Sequence, residues 1–395
     1  MSDADRAYLE AQGVEKAIAQ ALATVVREKP ANAIARLAQI LSPTPPATDD
    51  YLSTVGNTPM VKLSKMLPAE TKAKAVYVKL EMQNPGGSIK DRIAKNIVEA
   101  AEKKGDLKPG MTIVEATSGN TGIGLAMVCA AKGYKCIIVM PQLPPMMERY
   151  IICRKFGAEV HLTAGAVGAT MIENCFEHMH NLLKAHPDYW SPLQFHNQSN
   201  PRVHVDTTGP EVWEQTDGRV DYFVAGAGTG GTMAGAGKFL AQKNPAVVNV
   251  LVEPSESRVL AGAPSDKHSV VGIGAGVPLQ FIEELAPGEP FADKPRGFIS
   301  EFASASSSEA IEMASRLAAE EGLLVGPSTG AACKVACDLA ARPEAAGKTI
   351  VVVFPSSGIR CVAYIYRALS ALCGLSHACA VWLTLASLPL LAIAT

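Results

Sequence analysis

Short apolar runs recur along the middle of this chain with helical stretches between them: Ala75 to Leu80, Thr112 to Ala116, Lys135 to Met140, Glu159 to Leu162, Tyr222 to Ala225, Val248 to Glu253 and Thr349 to Phe354. A strand that is apolar at consecutive positions leaves no face for water. It must be covered on both sides, and crossover helices provide that cover when the strands run parallel. The pattern therefore predicts an α/β fold with parallel-rich sheets. A chain of 395 residues has room for two core-forming domains with appendages.

A formal net charge of −2 gives no reason to expect a nucleic-acid partner. The nine cysteines form no C-x-x-C pair and no regular framework, which suits reduced thiols in the cytoplasm or an organelle matrix. Cys333 and Cys337 stand four apart on a predicted helix with no His or further Cys beside them, so they are read as core. The eight histidines, including His178 and His180, lack a zinc-like spacing. No metal site is expected.

Chemistry concentrates in three turns. In Gln83-Asn84-Pro85-Gly86-Gly87-Ser88-Ile89-Lys90-Asp91-Arg92, one lysine sits in a small-residue turn ahead of an amphipathic helix marked by Ile93, Ile97 and Val98. An amine becomes a nucleophile or Schiff-base partner only when its surroundings position it and lower its proton affinity, which makes Lys90 the catalytic candidate. Thr117-Ser118-Gly119-Asn120-Thr121-Gly122 follows an apolar strand and opens an Ala- and Leu-rich helix, an arrangement that binds carboxylates. Gly226-Ala227-Gly228-Thr229-Gly230-Gly231-Thr232 follows Tyr222-Phe223-Val224, and its glycines allow close backbone approach to a phosphate. Gly226, Gly228 and Gly231 also satisfy G-x-G-x-x-G. The acidic residue that a dinucleotide site would need is represented only by Glu253, which leaves a nicotinamide enzyme as a minor alternative.

Together these segments resemble the cysteine synthase and cystathionine β-synthase family of pyridoxal-phosphate enzymes, from about Leu52 to Arg360. The same order includes Val55-Gly56-Asn57-Thr58-Pro59, Phe156-Gly157-Ala158-Glu159, Gln194-Phe195, Thr207-Thr208-Gly209-Pro210-Glu211, Gly272-Ile273-Gly274-Ala275-Gly276 and Gly326-Pro327-Ser328-Thr329-Gly330. The resemblance implies a two-domain fold-type II enzyme, residues 51–360, with a smaller domain near 94–200 and the cofactor in the cleft. It implies that Lys90 carries pyridoxal 5'-phosphate and acts as base, that Gly228, Thr229, Gly230, Gly231 and Thr232 hold the phosphate, and that Asn120 and Ser328 meet the ring. Thr117, Ser118, Gly119, Thr121 and Gln194 would grip the substrate carboxylate. A serine at the ring nitrogen makes a weaker electron sink than an aspartate would, which suits β-elimination. The implied reaction replaces the acetate of O-acetylserine by sulfide, through an aminoacrylate, to give cysteine. Cystathionine β-synthase, cyanoalanine synthase and an inactive docking scaffold are the alternatives. A homodimer and the C-terminus of serine acetyltransferase are the implied partners. Met140-Pro141-Gln142-Leu143-Pro144-Pro145-Met146-Met147-Glu148-Arg149 departs from the family pattern by one extra residue, stiffened by proline.

Both ends depart from that pattern. Val14, Ile18, Leu22 and Val25 recur at helical spacing, Lys29-Pro30 breaks the run, and Ile34, Leu37, Ile40 and Leu41 form a second stripe. Residues 1–44 thus read as a helical hairpin, similar to the docking-and-dimerisation motif of Dpy-type proteins, with an amphipathic helix as expected partner; a helical cap on the enzyme is the other reading. Residues 45–50 form a linker. Residues 361–395 form an apolar tail, whose length suits a membrane anchor but which Gly374, Ser376, His377 and Pro389 interrupt. A packed helix or a translation artefact are the other readings of that tail.

Overall fold

The computed structural model describes residues 14–28, 33, 37, 48–142, 147–164, 169–276, 279–285, 287 and 294–361. The chain separates into two compact units, Met1–Ser53 and Thr54–Thr395. Within the first, helix α1 spans Val14–Glu28. Among its described side chains Ala21 and Val25 are buried, whereas Ile18 and Leu22 are exposed, so of the stripe that the spacing predicts Val25 is buried and the two middle positions are not. Ile34, Ile40, Leu41, the Leu143 to Met146 segment and the tail beyond Cys361 lie outside the described residues.

The described residues of the second unit build two sheets. The larger has six strands: β1 (Met60–Lys62), β2 (Ala75–Leu80), β7 (Tyr222–Gly226), β8 (Val248–Pro254), β9 (Glu301–Ala305) and β10 (Thr349–Phe354). Their spatial order is β1-β2-β10-β7-β8-β9. Every neighbouring pair is parallel except β1, which runs antiparallel to β2. The smaller sheet, order β5-β4-β3-β6, is parallel throughout and contains β3 (Thr112–Ala116), β4 (Lys135–Pro141), β5 (Glu159–Thr163) and β6 (Tyr189–Trp190).

The apolar runs behave as their composition requires. In β10 the side chains of Ile350, Val352 and Phe354 enter one core, shared with helices α6 (Ser307–Glu321) and α7 (Pro327–Ala341). Val351 and Val353 enter the core on the opposite face, with Val212, Leu240 and Leu251. Alternate residues of a strand point to opposite faces, so a run without polar positions needs two covers and here has them. Helix α5 (Ala169–Ala185) covers one face of the small sheet, packing Cys175 and Met179 on Val114, Ala116, Ile137 and Val139. Helix α2 (Lys90–Lys104) packs on α3 (Asn120–Lys132) closely enough that a β-carbon at Gly124 would stand 3.1 Å from the Lys90 carbonyl. Helix α4 spans Met147–Lys155.

Candidate active site

Both sheets are read at the carboxyl ends of their strands, where open α/β sheets bind ligands. Ala116 and Pro141 end β3 and β4, Gly228 and Thr229 follow β7, and Pro355 and Ser356 follow β10; all of them line one cavity of about 350 Å³. Into the same cavity come Lys90, Thr117, Ser118, Gly119, Asn120, Thr121, Gln194 and Ser328. The three glycine-rich turns singled out from sequence therefore share one site. Gly230, Gly231 and Thr232 continue the loop without lining the cavity: Gly230 packs beneath Ile282 and Leu279, and Gly231 abuts Asn200.

The lysine turn is fixed from several sides. Gly87 takes a left-handed φ of 84°, a conformation that glycine adopts without penalty. Gly86 donates its N–H to Asp91 Oδ2 at 2.7 Å, and a β-carbon there would meet Asp91 Oδ1. Ile89 N donates to Pro355 O at 2.9 Å, and Ser88 pairs across to Ser356, tying the turn to the end of β10. Arg360 Nη2 donates to Gly86 O. Two residues on, buried Arg92 donates from Nε and Nη2 to Glu81, at 2.7 and 2.8 Å. It also donates from Nη1 and Nη2 to Glu211, both at 2.7 Å. Lys79 Nζ completes the cluster with Glu211 Oε2 at 2.6 Å.

Lys90 itself has no carboxylate partner among the described residues. Burial lowers its ammonium from 10.5 to about 8, so a substantial fraction is neutral amine near physiological pH. The carboxylates lie elsewhere in the cluster. Glu81 would be pushed up by burial, but Arg92 outweighs that and holds it below the usual carboxylate range. The single carboxylate among the cavity-lining residues is Asp266, exposed at the rim.

Facing Lys90, the turn from Thr117 leads into α3, whose first backbone N–H groups and aligned peptide dipoles favour an anion. Thr121 Oγ1 donates to Gln194 Oε1 at 2.6 Å, and Arg149 Nη1 donates to the Ser118 carbonyl at 3.1 Å. Ser328, 3% exposed, lies in the first turn of α7. The cavity suits pyridoxal phosphate on three observations. Among the described residues the Lys90 amine has no carboxylate partner. The buried Asn120 Oδ1 has no partner among the described residues, polar capacity that a ring substituent would use. A β-carbon at Gly228 would stand 3.8 Å from Lys90 Nζ and 2.9 Å from Gly272 O, so glycine there keeps a cradle open beside the amine.

Residues 51–356 match the family described as "Pyridoxal-phosphate dependent enzyme". The chain belongs to this family. It is 44% identical over 313 residues to a cysteine synthase of Staphylococcus aureus, covering 79% of this chain and 94% of that one. Among solved structures, an O-acetyl serine sulfhydrylase of Entamoeba histolytica matches with a TM-score of 0.73 and 37% identity, over 82% of this chain and 93% of the other. An O-acetylserine-dependent cystathionine β-synthase of Helicobacter pylori matches with a TM-score of 0.71 and 33% identity, over 80% and 97%.

Glu253, the acid of the nicotinamide alternative, is buried and accepts the Leu260 N–H at 2.9 Å, so it serves the local turn. Cys333 and Cys337 are buried as core residues, and the described cysteines are free thiols. Among the described residues no group of three or more His, Cys, Asp or Glu is placed to hold a metal. No helix among them is long and apolar enough to cross a membrane. Sequence reasoning missed the rim segment Ser265 to His268 and the walls Ile172 and Cys175, which only the fold brings to the cavity. It also passed over Glu115, although a carboxylate inside the apolar run Thr112 to Ala116 is a visible signal.

Proposed function

We propose that this chain is a cysteine synthase that replaces the acetate of O-acetylserine with sulfide. The observation that carries the reading is the pairing, in one cavity, of a buried amine of lowered basicity, without a carboxylate partner among the described residues, with an anion-accepting helix N-terminus. Pyridoxal phosphate, when bound, supplies an electron sink for the charge left on the substrate α-carbon. Lys90 would hold it as a Schiff base, with Gly228 and Thr229 on its phosphate side and Asn120 and Ser328 at the ring.

The chain's own residues supply the rest. The N–H groups and hydroxyls from Thr117 to Thr121, with Gln194, orient the substrate carboxylate and so aim its α-hydrogen. Lys90 Nζ, set free as an amine when the substrate amine takes its place, accepts that proton as the β-carbon to oxygen bond breaks and acetate leaves. Sulfide then bonds to the β-carbon, and Lys90 returns a proton to the α-carbon. Ser328 is a neutral hydroxyl, which supports elimination and replacement over transamination. The same reading takes a second copy of this chain and the C-terminus of serine acetyltransferase as partners, and the cytoplasm as location.

The test is a steady-state comparison of O-acetylserine, O-phosphoserine and serine as donors against sulfide, cyanide and homocysteine. The highest kcat/KM is expected for O-acetylserine with sulfide. A preference for homocysteine would move the assignment to the cystathionine-forming reading that the Helicobacter pylori neighbour favours. No turnover with any pair would overturn both.

A further inference from the structure

Gln194 reaches the cavity from a segment whose backbone is unusual. Leu193, immediately before it, holds a φ of 50°, the left-handed region that costs a leucine on the order of 1 kcal/mol or more. Something must hold that conformation, and two side chains outside the cavity do. Glu115 is 1% exposed in the middle of the small sheet. Its Oε2 accepts Leu193 N at 2.9 Å and Ser191 Oγ at 3.2 Å, and its Oε1 accepts Gln194 N at 3.3 Å. On the other side, fully buried Asn200 donates from Nδ2 to Gln194 O at 2.8 Å and to Thr229 Oγ1 at 3.0 Å. With Thr121 on its side-chain oxygen, Gln194 has its N–H, its carbonyl and its carboxamide each held by a different part of the fold.

We propose that Glu115 and Asn200 are positioning residues that clamp Gln194 and join the carboxylate-binding turn to the loop on the phosphate side, so that amino-acid affinity depends on two residues outside the cavity. The proposal rests on Gln194 being a substrate ligand in the reading above. A carboxyl surrounded by apolar strand residues is costly unless its oxygens are used, and these are used on three donors of one four-residue segment. Burial pushes the Glu115 carboxyl up to about 7, while the backbone donors of Gln194 and Leu193 oppose that rise. Asn200 also explains a glycine: a β-carbon at Gly231 would overlap Asn200 Oδ1, so the phosphate-side loop passes this joint only without a side chain. The asparagine thus links the substrate segment to Thr229, which itself accepts Gly231 N at 3.3 Å.

The two arms have different signatures. Glu115→Gln keeps the size but turns one acceptor into a donor that faces N–H groups. In the holoenzyme, assayed at about one pH unit above the titration of Glu115 so that the wild-type group is a carboxylate, its KM for O-acetylserine should rise about tenfold, the scale of one hydrogen bond to a charged group, with kcat and the KM for sulfide within about twofold. Amide hydrogen exchange across residues 191–196 should speed by about tenfold, read by mass spectrometry with no substrate present. Asn200→Ala should raise that KM and also hasten cofactor loss, read from the absorbance of released pyridoxal phosphate during gel filtration. Leu193→Gly in the Glu115→Gln background removes the strain that the carboxylate opposes, and should recover at least about threefold of the lost affinity. Unchanged exchange and unchanged KM in Glu115→Gln would overturn the clamp. If Glu115→Gln fails to fold, Leu193→Gly alone decides: it should leave 191–196 exchange at or below wild type, and faster exchange would overturn the argument. If wild-type protein does not use O-acetylserine, the functional reading fails, while the exchange result still decides the clamp.

Discussion

Removing Arg92 tests whether the charged cluster behind Lys90 acts as one unit. Lys79, Glu81, Arg92 and Glu211 sum to zero charge, and their side chains are 0%, 0%, 1% and 11% exposed. In Arg92→Met the four bonds to carboxylate oxygens vanish, together with those to Thr58 Oγ1 at 3.2 Å and Thr207 Oγ1 at 3.1 Å. Glu211 keeps Lys79. Glu81 keeps only Thr58 Oγ1 at 2.6 Å and Asn84 Nδ2 at 2.8 Å, neither of them charged. An ion pair broken on one side in such a place costs about 3–5 kcal/mol, because the remaining charge is stranded. Against a total stability of about 5–15 kcal/mol that loss decides how much protein is folded at 37 °C. Removing both charges is a different experiment. Glu81→Met with Arg92→Met leaves no stranded ion, and should recover at least about 2 kcal/mol relative to Arg92→Met alone. Urea unfolding followed by circular dichroism measures both. A cost under about 1 kcal/mol for the single variant, or a double variant no better than it, would refute the unit.

Further expectations follow from the same geometry. Lys90→Ala should lower turnover by about 10²–10⁴-fold, the range for a positioned proton acceptor, while cofactor still co-elutes through its other contacts. Because the Lys90 ammonium titrates at about 8, loading of pyridoxal phosphate onto cofactor-free protein should slow about tenfold per pH unit below 8 and level off above it, followed by absorbance; a flat profile would count against a free amine. Gly330→Ala should destabilise by about 1–3 kcal/mol or more in thermal melts, since the added carbon would overlap the Ala310 carbonyl where α6 and α7 cross. Burial raises Asp91 and Glu115 to about 7, so the folded protein keeps protons there that the unfolded chain releases near 4; stability should fall as pH rises through that window, and Asp91→Asn with Glu115→Gln should flatten the slope in urea titrations.

What could be read from the sequence was what is decided locally. The apolar runs became strands because a segment such as Ile350 to Phe354 has no polar position to offer water, wherever the fold puts it. The strands that were missed lack that property. Met60–Lys62 is an edge strand with Val61 exposed, Tyr189–Trp190 is two residues long, and Glu301–Ala305 carries Glu301 and Ser304 on a sheet edge. The glycine turns were legible for the same reason: left-handed φ at Gly87 and close approach at Gly228 are requirements of the backbone itself. Glu115 and Asn200 were not, because their roles exist only once residues 79 and 29 positions away in sequence are brought to them. On α1 Val25 of the predicted stripe is buried while Ile18 and Leu22 are not, because periodicity gives the existence of an apolar face, while which positions are buried is settled by the packing.

The strand order of the larger sheet also sets a timetable for synthesis. β10, residues 349–354, lies between β2 and β7, so the sheet stays in two pieces until almost all of the described chain has left the ribosome. The smaller sheet draws every strand from residues 112–190 and is available for pairing long before. At about 5–20 residues per second the interval is roughly ten to thirty seconds. During that time β2 and β7 must wait with apolar faces and an open edge each, the condition that invites pairing with another chain. A nascent protein stalled short of Thr349 is therefore a candidate for chaperones rather than a smaller enzyme, whatever chemistry its completed glycine turns already encode.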